Sequence, residues 1–425
     1  MRTAKSHIIS LFLFLTSALI LLTPTVRASV WEDYNQWDDY YEEQYSNWIS
    51  SRAVYERMFI DSSSPYKGIR ADCADAAYAL RAIFSFENGL PFAINDPSGS
   101  RSGRTINNQL SKWDNYGSRQ RRLVAMINTI GDSVGSENLT HFDTYPIRLK
   151  NIHAGAVFSY KIQARFGKFI RHVYNIKGIN PVGTFDTIYS TQAIADKGLP
   201  MTRRKDKEFI NSPHTPWGFR AFKWPRHVTI GTDRLPSNYE ASNEQYNLVA
   251  QLGSDRFFKL VKETVATIRE TPQQQMRRSF DGVCEESVAR IEYVNQALSH
   301  LRSIGGRCMD YQEFDAYSTP SRDTTLAETF KKFEDIYDDL GKTGELAEVN
   351  RDIIMAAQTI FDGYGMDLRD LRDMCAISYR PGVSIDLATL WNRIRSNKLS
   401  SHPNDTVELR WGEKTSPQTR CRRWY

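Results

Sequence analysis

The chain is short of cysteine, short of histidine and without a second long apolar run, and each shortage removes a class of function. It holds five cysteines and eight histidines in 425 residues. Cys73, Cys284, Cys308, Cys375 and Cys421 stand too far apart for the close ligand pairs of a structural zinc site. No metal and no cofactor is therefore expected. No apolar run after residue 28 approaches the roughly 20 residues a spanning helix needs, so no stable membrane anchor is expected in the mature chain. Internal repeats are absent. A strong basic excess is absent too. Of the formal charge of +5, Arg2, Lys5 and Arg27 supply three units in a segment without an acid, which leaves +2 for the rest. That falls short of the basic face nucleic-acid binding requires. The local clusters Arg119, Arg121, Arg122 and Arg203, Arg204, Lys205, Lys207 read as solvated surface.

What is present begins with that first segment. Arg2 and Lys5 precede an apolar stretch from Ile8 to Leu22, and Val26-Arg27-Ala28 closes it with small residues at the last and third-last places. A basic start, a short apolar middle and a small-x-small exit form a secretory signal peptide, so residues 1–28 are expected to be removed and the protein to be periplasmic or secreted. No cysteine lies near the expected cut, which argues against a lipid anchor. An oxidising compartment favours paired cysteines, and an odd number leaves one over. Four of the five lie beyond residue 280, which isolates Cys73. Cys284 with Cys308 and Cys375 with Cys421 is the simplest pairing.

About 400 residues exceed one ordinary core, and two domains are expected, at 29–235 and 236–425. Trp31, Tyr34, Trp37, Tyr41, Tyr45 and Trp48 recur at helical spacing, as in a helix strapped across the protein body. A helix is predicted from Cys73 to Asn88, stopped by Gly89 and Pro91, and another from Ser118 to Gly131. Between them, residues 94–118 read as a long loop. Short β-branched and aromatic runs at 156–162, 169–176, 184–190 and 227–230 predict strands. Helical patterning resumes near 243–271, 279–303, 323–341, 344–362 and 383–396. Helix, sheet, then helical bundle is an α+β arrangement with a mainly α-helical C-terminal part.

The informative segment is Gly68-Ile-Arg-Ala-Asp-Cys-Ala-Asp-Ala-Ala-Tyr-Ala-Leu80. Asp72 is a good N-cap and Asp75 completes a capping box. Cys73 then lies in the first turn, where free amides and the helix dipole favour a thiolate. The carboxylates at 72 and 75 oppose it. A base must come from the strand region. His172, in Phe-Ile-Arg-His-Val-Tyr-Asn-Ile, is preferred, with Asp186 as the acid that orients it. His227, in a similar Arg-His-Val context near Asp233, is the rival. Tyr66 is a candidate oxyanion donor.

These residues resemble the papain-like cysteine peptidase superfamily. Gly155-Ala-Val-Phe158 before His172-Val173 is similar to the bacterial NlpC-type cell-wall peptidases. Cys73-x-Asp75, His172 and the later Asp186 are similar to the transglutaminase-like peptidases. Residue 156 is Ala where NlpC-type enzymes usually have Asp, residue 67 is Lys where papain itself has glutamine, and the spacing from Cys73 to His172 requires an insertion around 94–150. The resemblance covers about 70–235. It implies a papain-like catalytic domain with a Cys73, His172, Asp186 site that cleaves peptide or isopeptide amide bonds, peptidoglycan among their sources. A transamidase, or a non-catalytic secreted binding or scaffold protein on the same fold, is the alternative.

Overall fold

A computed structural model describes residues 29–98, 104–163, 169–190 and 198–424. The expected signal segment lies outside the described residues. The chain is α+β. Helices come first, an antiparallel sheet follows, and a helical region closes the sequence.

The first three long helices are α1 (Asp39–Ser50), α2 (Cys73–Glu87) and α3 (Arg119–Gly131). Helix α2 is buried continuously from Ala74 to Ser85. Its alanines at 74, 76, 77, 79 and 82 let backbone approach backbone, and Ile83 and Phe84 fill the remaining space. Arg81 is the exception in this apolar helix. Its guanidinium donates to Glu42 of α1 at 2.9 Å and lies 3.4 Å from the Trp37 ring centroid, and the Trp224 indole donates to the same Glu42 at 2.7 Å. The aromatic amino-terminal segment is thereby bound to α2. Only its second half is helical, because residues 31–38 run in extended and bent conformation before Asp38 caps α1. Trp31, Trp37 and Tyr45 are buried, while Tyr34 and Tyr40 face solvent.

Strands β1 (Ala93–Asn95) and β2 (Thr105–Asn107) pair inside the region expected to be loop. The main sheet comprises β3 (Thr144–Pro146), β4 (Val157–Gln163), β5 (Phe169–Ile179), β6 (Phe185–Tyr189), β7 (Thr202–Lys207) and β8 (Phe219–Phe222), in the spatial order β3-β8-β4-β5-β6-β7. Every pairing in it is antiparallel. Alternation along β5 separates two cores. Val173 joins the α2 side with Val157 and Ile188, and Tyr174 and Ile176 join the opposite side with Phe158 and Phe219. Lys177, on the α1 side, donates to the carbonyls of Ile49, Ser51 and Val54 at 2.7 to 2.8 Å. It thus satisfies the carboxyl end of α1.

Two expectations are corrected in this region. Residues 227–230 are not a strand, since Pro225 opens a 3-10 turn at Pro225–His227 and cannot supply a ladder donor; β8 is the strand instead. Helices α4 (Glu244–Leu252) and α5 (Ser254–Val265), expected with the C-terminal part, place Phe257, Phe258 and Val261 in the core beneath the sheet.

The remaining helices α6 (Pro272–Ser303), α7 (Pro320–Thr343), α8 (Arg351–Phe361) and α9 (Leu387–Arg395) enclose Phe280, Phe330, Phe333 and Trp411. Pro272 and Pro320 are first-turn residues of α6 and α7. A small hairpin, β9 (Ile377–Arg380) with β10 (Val383–Ile385), interrupts the helices.

The disulfides are Cys284–Cys375 and Cys308–Cys421, not the neighbour-to-neighbour pairing that spacing suggested. The first joins α6 to the chain just before β9, and the second ties the carboxyl end to the loop after α6. Closing 91 residues in the unfolded chain corresponds to about 4–5 kcal/mol in the chain-entropy description. A Cys284→Ser/Cys375→Ser protein should lose stability of that order, read from its denaturant midpoint. Non-reducing peptide maps should return the two crossed pairs, and a Cys284–Cys308 peptide would contradict the fold.

Candidate functional site

The start of α2 is a closed hydrogen-bonded box. Asp72 accepts from the amides of Ala74 at 3.0 Å and Asp75 at 3.2 Å, and Asp75 accepts from the Asp72 amide at 3.0 Å. Cys73 sits inside this box, half-buried. Its thiol is pushed well above the ordinary range, first by burial and then by the two carboxylates. The amides of Val173 and Ala74, close to the sulfur, act in the opposite sense. Cys73 is the free thiol left by the disulfides.

Burial and mutual repulsion also hold one proton on the carboxyl pair. Asp75 is raised to about 8, by burial first and the Asp72 charge second, and Asp72 is raised as well. Near neutral pH the pair carries one negative charge, and it gains a second as pH passes 8. Asp75 Oδ1 is buried without a partner, and Gly131 of α3 packs so closely on the carboxyl that a Cβ there would lie 3.0 Å from it.

The sequence-predicted partners lie differently. His172 is the residue before Val173, so its main chain is next to the amide that lies close to the thiol. Its ring faces the other side of the sheet. It rests edge-on to Tyr174 and Tyr189, with centroids 4.4 Å and 5.1 Å away, and near Tyr160. Burial, then the charges of Lys207 and Arg322, hold its pKa down at about 3, so the imidazole is neutral. Among the described residues no hydrogen bond joins it to Cys73 or to a carboxylate. Asp186 does not orient it. Asp186 sits opposite Gly178 on β5, six residues or roughly 20 Å along the strand from His172. Its carboxylate instead accepts from Arg203 at 2.9 Å and Asn180 at 3.2 Å.

The other candidates are also placed. The His227 Nδ1 lies 2.9 Å from the Tyr239 hydroxyl, with the ring stacked on Trp224. Tyr66 donates to Glu87, at the far end of α2 and roughly 20 Å from Cys73 by helical rise, so it is no oxyanion donor.

Sequence reading missed a polar cluster on the α2 side of the sheet. Glu137 accepts from Arg171 Nε at 2.6 Å and Lys161 Nζ at 2.8 Å, and its other oxygen lies 3.1 Å from His141 Nε2. Burial would raise this carboxyl, but the bonds from Lys161 and Arg171 prevail and lower it. The signal was there in the Glu137, His141 spacing of four in a helix-like turn. Deeper on the same side, Asp143 joins the Tyr78 hydroxyl, Asn138 and Asn95 in a buried network. Comparison with protein-family models, curated proteins and solved structures returned no match.

The charge count around Cys73 gives a signed expectation. Asp75→Asn mimics the protonated carboxyl. It should leave thiol alkylation nearly unchanged at pH 6.5 and raise it roughly tenfold at pH 9, where the native pair carries its second charge. Because the folded pKa of Asp75 lies above its unfolded value, its contribution to stability is complete in acid and is lost as pH rises through 8, by at most about 1.4 kcal/mol per pH unit. The unfolding midpoint of the native protein should therefore fall more between pH 6.5 and 9 than that of the variant.

Proposed function

We propose that the protein is an exported thiol hydrolase that cleaves peptide or isopeptide amide bonds, with Cys73 as nucleophile and His172 as its base. The observation that carries the reading is the placement of the free thiol at the first turn of a buried helix, with the Val173 amide close to its sulfur and His172 adjoining that amide. The two disulfides fit an oxidising compartment, and no helix among the described residues is long and apolar enough to cross a membrane. Likeness to papain-like peptidases in the segments around Cys73 and His172 supplies the reaction class.

In the proposed reaction the thiol gives its proton to the imidazole, sulfur bonds to the amide carbonyl carbon, and the amine leaves with that proton. Water then opens the thioester and releases the acid, restoring the thiol. The Cys73 amide at the helix start is suited to receive the developing oxyanion. In the resting arrangement thiol and imidazole are both uncharged, and the His172 ring must swing from the tyrosines toward the sulfur.

That requirement favours a second reading, a non-catalytic secreted binding protein on the same scaffold. Activity separates the two. Cys73→Ala should reduce hydrolysis of peptide substrates or isolated cell wall by about a thousandfold or more, and His172→Gln by about a hundredfold. A Cys73→Ala protein as active as the native one would sink the hydrolase. A native protein inert toward both substrates, with a thiol that alkylates only after unfolding, would establish the binding reading.

A further inference from the structure

We propose that Lys161 and Arg171 form a carboxylate subsite, and that Glu137 is an internal stand-in for the acidic group of a peptide. The inference rests on the reading of Cys73 as the nucleophile, and it names the substrate class. Lys161 and Arg171 are directly opposed on β4 and β5, and the next pair on the same face is Ser159 with Val173. Arg171 thus stands two positions, roughly 7 Å of strand, from Val173, whose amide lies beside Cys73. An extended peptide covers that distance in two residues.

The site already holds a carboxylate. Glu137 takes both cations and His141 on its two oxygens, and the Arg171 fork beside a Lys is the donor set that recognises such a group. Glu137 is about 42 % exposed, as is His141, so this arrangement stabilises the fold little and its carboxylate can be displaced at low cost. The surroundings suit a peptide. Lys161 lies 4.8 Å from the centroid of the exposed Phe169 ring and 5.9 Å from that of Trp217, and these rings flank the cation without competing for its charge. Ser159 Oγ, in the adjoining pair, is buried with no partner. The ligand class is a peptide with a carboxylate, on a side chain or a terminus, within two residues of the amide presented to Cys73.

Binding to the Cys73→Ala protein tests this without turnover. Acetyl-Ala-Glu-Ala-amide and acetyl-Ala-Gln-Ala-amide are titrated calorimetrically. The glutamate peptide should bind about tenfold more tightly, and Lys161→Met/Arg171→Gln should remove the difference. Glu137→Gln should tighten the glutamate peptide about threefold or more, an effect that fades with salt and that loss of a merely structural ion pair would not give. Equal affinity for the two peptides, or a Glu137→Gln protein that binds no better, overturns the subsite. A protein that selects the acidic peptide yet never cleaves it retains the subsite and loses the hydrolase.

Discussion

A helix buried along almost its whole length must satisfy the amides of its first turn without water, and α2 does so with its own carboxylates. Asp72 and Asp75 accept the amides of one another's residues, which fixes where the helix begins and therefore where Cys73 stands against β5. The rest of the molecule is arranged around that rod. The sheet lies on one side, α1 is held across it through Arg81 and Glu42, and α3 closes over Asp75 at a glycine. The same carboxylates that cap the helix oppose ionisation of the thiol between them, so the fold and the proposed chemistry make opposite demands at one turn. The conflict is reduced by the proton the pair retains near neutral pH.

The two faces of the sheet divide the chemistry. The α2 face carries the thiol, the buried Asp143 network and the cluster of Lys161, Arg171, Glu137 and His141. The opposite face carries His172 in a cage of tyrosines, closed by cations from β7 and α7. Motion of the His172 ring is the step that would connect them. Helices α4 and α5, with α6 and α7 alongside, cover that second face, so the C-terminal helices bear directly on the freedom of this imidazole.

Much of this was legible in the sequence. Asp72 and Ser118 announced helix starts, and the structure finds both as side-chain caps. Three strands fell within a few residues of their hydrophobic runs. The leftover thiol followed from counting cysteines. What failed depended on which face or which distant partner a residue meets. Val173 and Tyr174 are both buried, so alternation along β5 gave no sign of which side α2 would take, and His172 went with Tyr174. Asp186 was set against His172 because it lies on the next antiparallel strand, whereas the hairpin register places it opposite Gly178. Cys284 and Cys308 do not pair because 19 residues of α6, roughly 29 Å of helix, separate Cys284 from the helix end that leads to Cys308. The Glu137 cluster is assembled from three separate elements.

In the proposed reaction the Cys73 sulfur becomes covalently acylated by substrate. Acid-quenched mass spectrometry of the disulfide-intact protein during turnover of an acidic peptide ester tests it most directly. The account predicts a mass increase equal to the acyl group, located on the Cys73 peptide and removed by hydroxylamine. Turnover with no adduct at Cys73, or an acyl group lodged on another residue, would contradict it.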